Sequence, residues 1–163
     1  MGATVGLIAH AHCGLPLAAM VLIEPILLAP AFYGGLISVD RHPLAARAIR
    51  RRNAWKDRAE AMAYLRSRAL FQQWDEEQLD LYLRHGMIQE EDGTLRLACS
   101  PRREAALFMG GRQFDPWPLL PKISCPVLIL EGEKSENGRY VDLDRIASSI
   151  PHCERRVVKN AGH

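Results

Sequence analysis

The sequence predicts an α/β protein built on a mostly parallel sheet. Three short apolar runs, residues 5–9, 21–23 and 127–130, contain no polar side chain. Such runs are typical of strands that are buried on both faces of a parallel sheet. Residues 155–158 predict a further strand. Between the second and third runs, over residues 56–86, the apolar pattern changes to a helical period, which predicts helices inserted between these two strands.

The run over residues 5–9 ends abruptly in a segment of small residues and histidines, His10-Ala11-His12-Cys13-Gly14. This pattern predicts a buried strand followed by a sharp turn. Residues 15–20 then remain for a helix of little more than one turn, with Pro16 near its start, that leads to the strand at residues 21–23.

The predicted insertion contains several helices. A short helix is expected over Asp40–Arg52, with Asp40 as its N-cap. Residues 56–86 carry two amphipathic faces, and a third helix opens at Ser100. The proline-rich segment 115–121 is expected to return the chain to the sheet.

Three aromatic residues, Trp55, Phe71 and Trp74, interleave the predicted helices. Their first interpretation is packing within the insertion. The second interpretation is that they line an acyl or aromatic pocket beneath a lid.

The composition excludes several classes of partner. A net charge of +2, with 25% charged residues, favours neither nucleic acid nor an anionic membrane. The most apolar stretch, residues 15–36, contains Glu24, three prolines and a Gly-Gly pair, so no integral membrane segment is expected. The four cysteines are widely spaced and form no C-x-x-C pair, which indicates reduced thiols in an intracellular, cytoplasmic protein, with the peroxisome as the alternative.

Three motifs occur in a characteristic order: VLIEPI at residues 21–26, PVLILEGEKSEN at residues 126–137 and NAGH at residues 160–163. In this order they resemble the esterase and lipase-like group of the α/β-hydrolase superfamily. The resemblance implies a partial α/β-hydrolase fold, in which strands ahead of residue 5 and a helix after residue 163 are lacking. It also implies a hydrolase core over residues 1–39 and 121–163 and a helical cap or lid over residues 40–120.

The resemblance implies site residues as well. Laid on the nucleophile elbow G-x-S-x-G, the turn after residues 5–9 places the nucleophile at Ala11, which has no hydroxyl. His10 and His12 flank that position and would shape the pocket, and the N–H of residue 12 would be an oxyanion donor. His163 resembles the general base.

The catalytic acid has two candidates. Glu24 follows the strand at residues 21–23, where some members of the superfamily place the acid. Glu136 lies beside Ser135, which occupies the position of the aspartate found in much of the family. Glu24 is narrowly preferred, because Glu136 is displaced by one residue from the aspartate position, and its side chain would point to a different side.

Two functions follow from these residues. The first is hydrolysis of an ester, thioester or similar acyl bond, with activity made doubtful by Ala11. The alternative is a non-catalytic remnant or a module that binds a small molecule. No cofactor is expected, and no metal, because His10 and His12 lack a third ligand in the sequence.

Overall fold

The computed structural model describes residues 1–163, which divide into two compact units. One unit comprises Met1–Leu36 and Gly111–His163, and the other comprises Ile37–Gly110. Residues 111–120, which the sequence placed in the insertion, therefore belong to the unit that contains the chain ends. No helix is long and apolar enough to cross a membrane.

The elements follow one another in the order typical of an α/β protein. The helices are α1 (Gly2–Cys13), α2 (Pro43–Ile49), α3 (Arg58–Arg66), α4 (Glu76–Gly86), α5 (Pro101–Gly110) and α6 (Leu143–Ser148). The strands are β1 (Met20–Ile23), β2 (Ala54–Trp55), β3 (Met87–Gln89), β4 (Leu95–Leu97), β5 (Val127–Gly132) and β6 (Cys153–Val158). Short 3₁₀ turns join several of them, the longest over Trp117–Lys122.

The first unit is built on a three-stranded sheet of order β1-β5-β6, in which both pairings are parallel. Met20 lies opposite Val127, and Val127 lies opposite Cys153. This arrangement confirms the predicted α/β class and the strands predicted at residues 21–23, 127–130 and 155–158. Because the strands are parallel, their carboxyl ends meet at one edge of the sheet.

The prediction of a strand at residues 5–9 is wrong, because these residues lie inside helix α1. Leu7 is the buried residue of this helix, which ends at Gly14 in the left-handed conformation, with φ of 69°. A short apolar run cannot be assigned to a strand or a buried helix from its pattern alone, and here the helix prevails. Ala11 consequently lies in the last turn of a helix and not on a strand-to-helix turn, so the elbow assigned to it is also wrong. The short helix predicted over residues 15–20 is absent, since residues 15–19 form the connector to β1 and Met20 is the first residue of that strand.

The core of the first unit lies on one face of its sheet. Met20 and Leu22 in β1 are buried there, together with Val127 and Ile129 in β5 and Leu7 of α1. The other face is less covered, with Val21 61% and Ile23 73% exposed. The sheet is therefore packed on one face and open along β1 on the other.

The second unit combines helices with a small antiparallel sheet of order β2-β4-β3. The helices predicted within residues 56–86 are confirmed as α3 and α4, capped by the side chains of Asp57 and Asp75. Trp55 is 2% exposed in the core of this unit, which confirms its interpretation as a packing residue. Phe71 and Trp74 form an edge-to-face pair beside that core.

Two expectations for the second unit need correction. The helix predicted over Asp40–Arg52 is shorter, because α2 is capped by His42 through a bond from Ala45 N–H. Asp40 lies instead in a preceding 3₁₀ turn. The sheet of this unit was not predicted, since its strands are only two or three residues long.

Candidate acid–histidine site

The candidate site begins at Glu24, the residue directly after β1. Its N–H still bonds to the carbonyl of Leu130 at 2.9 Å, which extends the pairing with β5 by one step. Pro25 follows, so the strand cannot continue as a central strand. Glu24 has φ of 46°, a left-handed conformation that costs a non-glycine residue about 1–3 kcal/mol. The strained backbone turns the side chain into the protein, where the residue is only 6% exposed.

Neutral donors surround the carboxylate of Glu24. Oε1 accepts the backbone N–H of Gly132 at 2.8 Å. Oε2 accepts the hydroxyl of Ser135 and the side-chain amide of Asn137, both at 2.7 Å. Burial raises the pKa of the Glu24 carboxyl, but the bonds from Ser135, Gly132 and His163, together with the charge of His163, outweigh it and leave the pKa below the ordinary value of 4.5. The carboxylate is therefore held in its ionised form.

His163 completes the site. Its Nδ1 lies 2.5 Å from Glu24 Oε2. An ionised carboxylate only accepts hydrogen bonds, so Nδ1 carries a proton, and in the neutral form of the imidazole the lone pair lies on Nε2. The amide nitrogen of Asn137 also lies 2.7 Å from Nδ1, but two donors cannot bond to each other, so its proton goes to Glu24. Nε2 has no hydrogen-bond partner, and the side chain is 60% exposed.

The segment that carries His163 packs closely on the end of β5. A Cβ atom on Gly132 would lie 2.5 Å from the carbonyl oxygen of Gly162 and 2.7 Å from that of Ala161. Lys134 N–H bonds to the Ala161 carbonyl at 2.8 Å, which ties the two loops together. Glycine at position 132 therefore permits the approach that brings His163 to Glu24.

The structure separates the two candidate acids. Glu24 contacts His163, whereas the carboxylate of Glu136 faces Arg139 at 3.4 Å and its side chain is 78% exposed. Ser135, at the position expected for an aspartate, donates to Glu24 instead of contacting the histidine. Sequence reasoning missed the roles of Ser135 and Asn137. The signal that could have found them is a pair of short polar side chains in the loop after β5, at the edge where Glu24 was expected.

The other predicted histidines lie elsewhere. His10 bonds through Nδ1 to the Leu15 carbonyl at 2.7 Å and through Nε2 to the Ser124 hydroxyl at 3.2 Å. Ser124 precedes β5, so this contact lies at the opposite end of the strands from Glu24. His12 packs on Phe114 with ring centres 5.6 Å apart. Neither histidine contacts Glu24 or His163, and the oxyanion role expected for residue 12 rested on a turn that is helix here.

The parallel sheet with a carboxylate–histidine pair at its carboxyl edge is consistent with the protein family that the sequence matches. The model of the alpha/beta hydrolase family matches residues 1–163. The chain belongs to the alpha/beta hydrolase family. Among curated proteins, none matches the chain by sequence.

Solved structures of hydrolases show the same fold. The peroxisomal alpha-beta-hydrolase Lpx1 of Saccharomyces cerevisiae superimposes with a TM-score of 0.76 at 12% identity, over 99% of this chain and 44% of that protein. E-2-(acetamidomethylene)succinate hydrolase gives 0.74 at 23% identity, over 99% and 56%. The thioesterase domain from the curacin biosynthetic pathway gives 0.70 at 16% identity, over 99% and 57%. The chain thus spans about half the length of these hydrolases.

Proposed function

We propose that this chain supplies the acid–base part of an acyl-hydrolase site, with His163 as general base and Glu24 as the acid that orients it. The observation that carries the proposal is the 2.5 Å bond between His163 Nδ1 and the buried carboxylate of Glu24. A histidine oriented in this way presents a basic nitrogen, Nε2, outward from the protein. Esters and thioesters are the proposed substrates.

The proposed reaction moves one proton through His163. Nε2 takes the proton of a hydroxyl as its oxygen attacks the acyl carbonyl, and the imidazolium is stabilised by Glu24 through Nδ1–H. Nε2 then returns the proton to the leaving alcohol or thiol as the bond from the acyl carbon breaks. The attacking hydroxyl is a serine in the esterase and lipase-like group, but no residue of this chain contacts Nε2, so the proposal covers the base and the acid only.

The unit Ile37–Gly110 is proposed to act as the lid of the site and to influence the choice of substrate. Support comes from its position in the chain, between β1 and β5, and from its own buried core around Trp55 and Leu79. We also propose an intracellular location, because all four cysteines are free thiols.

Hydrolysis of p-nitrophenyl acetate by the 163-residue chain tests the role of His163. His163→Ala is expected to lower the protein-dependent rate about 10²-fold, which is the lower end of the contribution of a positioned general base. His85→Ala is the matched control, since His85 is an exposed histidine at the end of α4. Equal rates for the wild type and both variants would contradict the proposal.

A second candidate function is binding of a small molecule without turnover. It is supported by a cavity of about 230 Å³ in the first unit, lined by Leu27, Trp117, Tyr140 and Arg145 among others. The guanidinium of Arg145 stacks 4.5 Å from the centre of the Trp117 ring. Benzoate that raises the melting temperature of the wild type but not of Arg145→Gln, without any ester turnover, would favour binding over hydrolysis.

A further inference from the structure

The donors around Glu24 point to a role for two residues that lie outside the acid–histidine pair. Resting on the proposed function, we propose that Ser135 and Asn137 are positioning residues, whose neutral donors hold the Glu24 carboxylate at His163 Nδ1 in both protonation states of the histidine. Neither residue contacts His163 Nε2, and Asn137 Nδ2 lies 2.7 Å from His163 Nδ1 without a bond, because both atoms are donors. Both act through Glu24.

The geometry shows how the two residues fix one oxygen. Glu24 Oε2 receives Ser135 Oγ and Asn137 Nδ2 at 2.7 Å each, and it is the same oxygen that faces His163. Oε1 is fixed separately by the Gly132 N–H. A glutamate has three side-chain torsions, so bonds to both oxygens are needed to select one orientation of the carboxylate.

The hydroxyl of Ser135 is itself oriented. Its Oγ accepts the backbone N–H of Asn137 at 3.2 Å, which directs its proton toward Glu24. The N–H of Ser135 bonds to the Gly132 carbonyl at 2.9 Å, so the turn that carries Ser135 is anchored to the end of β5. The backbone N–H of Asn137 thus orients the hydroxyl of Ser135, so the two donors to Glu24 depend on each other.

The proton cycle of a general base explains why these donors need to be neutral. A buried carboxylate is stabilised strongly by a neighbouring imidazolium, but that charge is absent whenever the histidine is ready to accept a proton. His163 is the only ionisable group that forms a hydrogen bond or ion pair with the Glu24 side chain, and the other partners of Glu24 are the Gly132 N–H, Ser135 and Asn137. These donors do not titrate, so they stabilise the carboxylate equally in both states of His163.

The serine at position 135 is also a neutral donor. An aspartate there would place a second anion against Glu24 Oε2, and two adjacent carboxylates raise the pKa of one of them. A hydroxyl gives the carboxylate a donor without adding charge.

NMR titration of the Glu24 side-chain carboxyl in the full chain, labelled with ¹³C-glutamate, tests the proposal. Ser135→Ala and Asn137→Leu each remove one donor, so each is expected to move the titration midpoint of Glu24 to higher pH. Ser135→Thr keeps the hydroxyl and should restore the wild-type midpoint. Ser148→Ala is the matched control, because Ser148 Oγ bonds only to the Arg145 carbonyl. In this variant the titration midpoint of Glu24 should equal that of the wild type.

The outcomes decide the proposal without ester hydrolysis. If Ser135→Ala does not fold, Ser135→Cys keeps the shape with a much weaker donor and should move the midpoint in the same direction. The proposal would be overturned if the Glu24 midpoint is unchanged in the folded Asn137→Leu variant and also in a folded variant of Ser135, either Ser135→Ala or Ser135→Cys. If the midpoints rise but His163→Ala leaves ester hydrolysis unchanged, the positioning of Glu24 stands and the proposed hydrolase function fails.

Discussion

His163 and His10 are both tethered through Nδ1, yet the two histidines differ in what Nε2 can do. Nδ1 of His163 faces the buried carboxylate of Glu24, and its Nε2 has no partner. Nδ1 of His10 faces the Leu15 carbonyl, and its Nε2 is occupied by Ser124. A histidine held through Nδ1 is a candidate base only when Nε2 is free and the partner of Nδ1 is charged. By this criterion His10 joins α1 to the segment before β5, and His163 is the residue proposed as the base.

Replacing Glu24, the charged partner of His163, should have the largest effect on ester hydrolysis. Glu24→Gln keeps the shape of the side chain but cannot stabilise the imidazolium, and it can favour the wrong tautomer. An equivalent change in a serine protease lowers kcat about 10⁴-fold. We expect Glu24→Gln to remove most of the hydrolysis of p-nitrophenyl acetate that depends on His163. Glu136→Gln is the control and should leave it unchanged, because Glu136 is exposed and paired with Arg139; equal losses in both variants would argue against Glu24 as the acid.

Displacing His163 through its loop should have the next largest effect. Gly132→Ala places a Cβ within 2.5 Å of the Gly162 carbonyl, so the His163 loop must shift. Overpacking of this kind costs about 1–3 kcal/mol in the free energy of unfolding, and the rate of ester hydrolysis should fall with it. Gly138→Ala meets open space and serves as the control. Chemical denaturation and kinetics of both variants measure the two effects; a Gly132→Ala protein as active and stable as Gly138→Ala would contradict the close packing.

Removing the other histidine should affect stability alone. His10→Ala deletes the link between α1 and the segment before β5, and a hydrogen bond of this type contributes about 0.5–1.5 kcal/mol. Urea denaturation should show a loss of this size, while the rate of ester hydrolysis stays at the wild-type value. A loss of activity without a loss of stability would mean that His10 belongs to the site.

The stability of the chain should depend on pH through Glu24. Its pKa is lower in the folded state than the ordinary 4.5, so the unfolded chain takes up the proton first as the pH falls. The contribution of Glu24 is therefore fully present above pH 4.5 and is lost as the pH falls through the folded-state pKa. Below pH 4.5 the free energy of unfolding should decline more steeply in the wild type than in Glu24→Gln. Parallel curves for the two proteins would show that the hydrogen bonds do not favour the carboxylate.

Ala11→Ser should have the smallest effect. Ala11 packs against the core from the last turn of α1 and lies outside the acid–histidine pair. A hydroxyl there should create no activity, and a partly buried single substitution of this size should change stability by little more than 0.5 kcal/mol. A large gain in ester hydrolysis would contradict this expectation and would support Ala11 as the nucleophile position, as the sequence pattern suggested.

Much of the site could be predicted from residues that stand at the ends of apolar strands. Strands β1 and β5 follow from short apolar runs, and β6 was expected at residues 155–158. Glu24 was expected at the end of β1, and the family resemblance placed His163 in the segment after β6. Helix α1 was missed because its apolar run is too short to show a helical period. A signal was nevertheless present, since histidines in the last turn followed by glycine, as at His10, His12 and Gly14, are typical of a helix C-terminus.

The arrangement around Glu24 could not be predicted in the same way. Ser135 and Asn137 lie more than a hundred positions from Glu24 in the sequence, and their bonds to it exist only after β1 and β5 pair. The left-handed backbone of Glu24 has no sequence signal either, because glutamate is not a residue that favours positive φ. Long-range pairing and local strain, which a pattern of residue types does not encode, produced the part of the site that sequence reasoning missed.

The tautomer of His163 tests the central claim most directly. Long-range ¹H–¹⁵N correlation spectra of the neutral imidazole report which ring nitrogen carries the proton. The account predicts an Nδ1–H tautomer in the wild type, with a strongly downfield proton from the bond to Glu24, and loss of that downfield proton in Glu24→Gln. An Nε2–H tautomer in the wild type, or spectra that Glu24→Gln leaves unchanged, would contradict the acid–histidine pair on which the proposed function depends.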